Sequence, residues 1–70
     1  MPYSKFDPAT KNLLCRVHHA ASLELEPVDI LVEAETRALH IAQLTRQLLA
    51  AADRGEREFE RLKALALKGI

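Results

Sequence analysis

The stretch Leu48 to Leu62 reads LLAAADRGEREFERL, with a single glycine, Gly55, near its middle. Whether a helix stops at Gly55 or runs through it decides whether this chain can hide its apolar side chains by itself. Upstream, Ala38, Ile41, Thr45, Leu48 and Ala52 follow one another at steps of three and four. The same count continues onto Gly55, Phe59, Leu62 and Ala66 without a slip of phase. Steps of three and four place side chains on one helical face. A turn at Gly55 would normally reset the count. It would also need a new N-cap just beyond the glycine, where Glu56 is a poor candidate. Asp53 with Glu56 three residues later offers a weak capping box instead. An interior glycine costs only about 1 kcal/mol relative to alanine, and Asp53 and Arg57 have the spacing of an i,i+4 ion pair across it.

The pattern therefore favours one very long helix over about 27–68. The alternative is a break near Gly55 into a three-helix chain. Unbroken, those residues at about 1.5 Å each would form a rod of roughly 63 Å.

Working back from this stretch, Asp7-Pro8 reads as a helix start. Asp is a preferred N-cap, and proline fits the first helical position because its missing N–H would be unpaired there. Leu13, Leu14, Val17, Ala20 and Ala21 then share one face, which predicts a helix over about 8–21. Tyr3 and Phe6 precede the cap as apolar anchors. Ser22 to Glu26 alternates apolar and polar, and Pro27 biases Glu26 away from helical backbone. That predicts a connector over 22–26 and a second helix starting at Pro27, with Asp29 and Glu33 near its positive end. Glu33 and Arg37 have the spacing of an exposed ion pair.

Seventy residues make one domain, 1–70, and a chain this short buries a small fraction of its unfolded surface. Cys15 is the only cysteine, so no disulfide can staple the chain. A first helix of about 21 Å would cover only a third of the rod. Leu44, Leu48, Leu49, Phe59, Leu62 and Leu65 would then face water, and a patch of that kind marks an interface. The expectation is an all-α chain paired with itself as a homodimeric or higher helical bundle. Its interface would be Ala38, Ile41, Thr45, Leu48, Ala52, Gly55, Phe59, Leu62 and Ala66. Small residues let helix axes approach, and Gly55 would make room there for a bulky side chain such as Phe59 of the other copy. Ala42, Leu44, Leu49, Ala51 and Leu65 widen the face beyond a two-stranded seam. The charged residues Arg46, Asp53, Arg54, Arg57, Glu60 and Arg61 fall on the far side.

Ten acidic and ten basic side chains cancel. Net charge gives no electrostatic reason to expect nucleic acid or an anionic membrane as partner. No apolar run approaches the roughly 20 residues of a membrane span. The first residues lack the apolar core of a secretory signal, and with the lone cysteine this favours the cytoplasm.

Chemistry-bearing residues are few. Cys15 and His19 stand four apart, a spacing that can chelate a metal from one helix face. A structural zinc needs four ligands, and His18 points about 100° away from His19. Nothing orients Cys15 and a histidine for nucleophilic catalysis, and no cofactor signature is present. In RGEREFERLK, Glu56, Glu58 and Glu60 interleave with Arg54, Arg57, Arg61 and Lys63, which reads as a solvated face. The function expected is a small homodimeric protein–protein interaction module, an adaptor, regulatory or structural subunit without catalytic activity. A further partner could dock on the apolar C-terminus, LALKGI. The alternatives are a dimeric DNA-binding regulator, built on a helix-turn-helix-like unit if the chain breaks at Gly55, and a small metal-binding helical protein.

Overall fold

The computed structural model describes residues 3–29 and 32–70, with the side chains of residues 28 and 29 excepted. Three helices follow in order: α1, Pro8–Asp29; α2, Ala34–Asp53; and α3, Phe59–Leu67. Among the described residues all regular structure is helical, as the composition implied.

Asp7 caps α1 as its position predicts. One carboxylate oxygen accepts from the Thr10 hydroxyl at 2.6 Å, the other from the Thr10 N–H at 3.3 Å. Together those two bonds hold the Asp7 carboxyl below its ordinary value. The expected connector over 22–26 is instead part of this helix, which continues through Pro27 to Asp29. Leu25 explains why. It lies four residues beyond Ala21 and extends the stripe of Leu14, Val17 and Ala21, all buried. The alternating Leu23 and Leu25 split between solvent and core, so a short run consistent with extended chain folds as helix once the core faces it. Pro27 lacks the N–H that would bond four residues back. It stands in the last turn of α1, where few bonds remain to be lost. A second helix does not start at Pro27: α2 begins at Ala34, with Glu33 as its N-cap residue. The Asp29 side chain lies outside the described residues.

The helix does not run through Gly55. Gly55 has φ +95°. Its N–H donates to the Ala52 carbonyl at 3.0 Å, and the Glu56 N–H donates to the Ala51 carbonyl at 3.2 Å. This nested pair of bonds closes a helix on a left-handed residue, a conformation glycine adopts without a Cβ clash. Arg57 adds a second stop, with Nη1 donating to the Ala52 carbonyl at 2.8 Å. Glu58 then caps α3, accepting from the N–H groups of Arg61 at 2.7 Å and Glu60 at 3.3 Å. The expected Asp53–Arg57 pair across the glycine does not form, because Arg57 turns back onto the helix end and Asp53 meets Lys5 at 2.7 Å. One 63 Å rod is also excluded by size, since the longest extent is 36 Å.

The reversal lays α3 against α2 and α1 around a single core. Leu14, Val17, Ala21, Leu44, Leu48, Ala51, Leu62 and Ala66 are fully buried within one chain. Phase was preserved across the turn because both halves of the stripe face this same interior. The surface area, 4588 Å², is close to the roughly 4,400 Å² expected of a compact monomer of this mass. The leucines expected to face water are therefore largely covered from within. Lys63 joins α3 to Glu24 of α1 at 3.0 Å. The Gln47 side chain holds the end of α3 by donating to the Lys68 carbonyl at 2.8 Å.

Candidate interaction surface

The residues read from the sequence as an interface divide into three groups. Leu48, Ala52, Leu62 and Ala66 lie in the intrachain core. A side chain with no exposed surface has nothing further to offer a partner while the fold stays closed. Ile41, Thr45 and Phe59 are half-buried, and Ile41 and Phe59 pack against that core. Ala38 and Gly55 are exposed. Gly55 has open space where a Cβ would lie. Its role visible here is to terminate α2 rather than to receive Phe59.

The buried face of α2 is centred on Leu44, Leu48 and Ala51. At 100° per residue it is rotated by roughly 60° from the seam read in the sequence. Its opposite face carries the less expected feature. Leu39 is 68% exposed, the most exposed of the large hydrophobic side chains described. Ala38 and Ala42 are exposed beside it, and the exposed Glu35 and Arg46 stand before and after them on the same face. Neither Glu35 nor Arg46 has an ion-pair partner among the described residues. Among the described residues, Leu23 on α1 is the other large apolar side chain open to solvent, at 49%.

This face is legible in hindsight. Glu35, Leu39, Ala42 and Arg46 repeat at steps of four, three and four, but the stripe through Ile41, Leu48 and Ala52 is stronger and drew the interface onto the core.

The remaining candidates sit apart. Cys15 is half-buried against the core and His19 is exposed. Among the described residues no three His, Cys, Asp or Glu side chains converge where an ion could be held. The Tyr3 hydroxyl lies 2.9 Å from His18 Nδ1, and the two rings meet edge to face. Burial is the main cause that lowers the His18 pKa, with His19 beside it adding to the effect. Burial also pushes the Tyr3 hydroxyl up. A neutral His18 Nδ1 can accept a hydrogen bond from the tyrosine hydroxyl, so the pair latches Tyr3 onto α1. Sequence reading saw Tyr3 as an anchor but had no signal for this histidine as its mate.

In the RGEREFERLK segment Arg54, Arg57 and Arg61 stay exposed, but three of its four cations engage groups of the same chain. Arg61 meets Glu56 at 3.5 Å, and Lys63 meets Glu24 and Glu60 at 3.0 and 3.1 Å. Arg57 is spent on the α2 carbonyl and stands 5.7 Å from the Phe6 ring. At the C-terminus Leu65, Leu67 and Ile70 are half-buried against the core. Among the described residues no helix is long and apolar enough to cross a membrane. The sequence matches no protein-family model, no curated protein and no solved structure.

Proposed function

We propose that this chain is a small, non-catalytic helical interaction module that associates with a second copy of itself through the outward face of α2. The observation that carries the reading is Leu39. It stands open to water between exposed alanines, in a molecule whose large core leucines are otherwise enclosed. A lone exposed leucine would carry little meaning. Here it is the centre of an apolar strip with charges at its ends, the anatomy of an interface core and rim. The homodimer read from the sequence is kept, but its contact moves from Leu48, Ala52, Phe59 and Leu62 to Ala38, Leu39 and Ala42. The C-terminus is a poorer docking point, because Gln47 and the core already hold it. A lone thiol favours a reducing, cytoplasmic setting.

Nucleic acid is a weaker reading. The cations on and beside α3 have carboxylate neighbours that would repel phosphate. Sedimentation of the wild-type chain beside Leu39→Glu tests the proposal. The wild type should gain mass with concentration. The variant should stay monomeric with an unchanged helical circular-dichroism spectrum. A wild type that is monomeric throughout, or a variant that associates equally well, overturns it.

A further inference from the structure

We infer that the two copies pair with their α2 helices antiparallel, and that the charges of Glu35 and Arg46 set this register. The inference rests on the reading of the α2 face just given. Glu35, Leu39, Ala42 and Arg46 are all exposed and repeat at the four-three-four spacing of a two-helix seam. The order along that seam is acid, large apolar, small apolar, base, and Leu39 follows Glu35 by the same step that separates Ala42 from Arg46. An antiparallel copy that sets Glu35 against Arg46 of the second copy must therefore set Leu39 against Ala42. A twofold axis repeats both contacts. Each end gains an opposite-charge pair, and each large side chain meets a small one.

A parallel arrangement in register does the reverse. It sets Glu35 against Glu35, Arg46 against Arg46 and leucine against leucine. Like charges across an interface disfavour the wrong register more strongly than opposite charges strengthen the right one. The flanks do not oppose the choice, since Ala38 faces Thr45 of the second copy and both are uncharged. The core of each protomer lies on the far side of α2, so the seam can close without unfolding either copy.

The seam spans about 17 Å, the 11 steps from Glu35 to Arg46 at about 1.5 Å each. A contact that short falls below the roughly 1,200–2,000 Å² of a standard interface. Association is accordingly weak, and is read between about 10 µM and about 1 mM chain.

The test uses complementary variants. Glu35→Arg alone brings two guanidinium groups together at both ends of the seam, and Arg46→Glu alone brings two carboxylates together. Each purified variant should associate at least about tenfold more weakly than wild type. Mixed in equal amounts, the two should recover association, because every end then pairs opposite charges. Circular dichroism of each variant shows that the fold is kept. Charge variants that associate like wild type, or a mixture no stronger than its components, overturn the antiparallel register. If Leu39→Glu still abolishes association in that case, the α2-face reading survives without the register. A wild type monomeric at every concentration overturns both.

Discussion

Two residues show how local chemistry decides structure here. At Gly55 a left-handed φ of +95° coincides with open space where a side chain would project. Substitution there tests backbone strain without a packing change. Gly55→Ala should cost about 1–2 kcal/mol, the penalty of a left-handed L-residue, and denaturant unfolding followed by circular dichroism measures it. A larger loss would point to a contact that the geometry lacks. At Asp7 the carboxyl is held below its ordinary value by the Thr10 hydroxyl and N–H. A depressed carboxylate contributes stability that is complete above its unfolded value near 3.8 and is lost as pH falls through the lower folded value. Asp7→Ala should lower Tm by about 4–8 °C at neutral pH. The gap from wild type should close in strong acid, as thermal melts at stepped pH would show.

At the scale of elements, the core stripe is continuous while the helix is not. Leu48 on α2 and Leu62 on α3 share one interior with Leu14 and Val17 on α1. Leu48→Ala should cost about 2–5 kcal/mol. That is a large part of the roughly 3–10 kcal/mol that 70 residues hold in total. Helical signal should therefore be lost, with a monomer unfolding rather than a dimer separating. Equilibrium denaturation at two protein concentrations distinguishes these outcomes, since only a dimer shifts its midpoint with concentration.

The helical class and the α1 start at Asp7-Pro8 were legible in the sequence, since capping chemistry is local. The stop at Gly55 was legible only as the alternative, because spacing favoured a continuous helix over the three-helix chain that forms. Periodicity reports which side faces the core, and it reads alike for one straight helix and for two that fold onto the same interior. The deciding signals were the left-handed glycine, Arg57 returning to a carbonyl, and Glu58 as the next cap. Each acts through backbone geometry that spacing alone does not carry. Ser22 to Glu26 misled for a related reason, because five alternating residues fit a helix as well once Leu25 has Ala21 beneath it. The exposed face of α2 lay in plain view as a second, weaker stripe on the same helix.

Over the whole molecule, the reversal at Gly55 changes what remains for a partner. A rod would have exposed its core stripe and made pairing a condition of folding. The closed three-helix unit hides that stripe and leaves open the face around Leu39, so the association proposed for that face would be an added property of a folded monomer. The most direct test of this account is the distance between spin labels at Ala42 and Lys68, measured by pulsed electron resonance on labelled chains diluted with unlabelled ones. A hairpin at Gly55 places the sites on adjacent helices, because Gln47, little more than a turn from Ala42, bonds the Lys68 carbonyl. The account predicts a distribution centred below about 20 Å, from helix axes about 8–10 Å apart plus the reach of the labels. A distribution near 39 Å, the length of about 26 residues of uninterrupted helix, would contradict it.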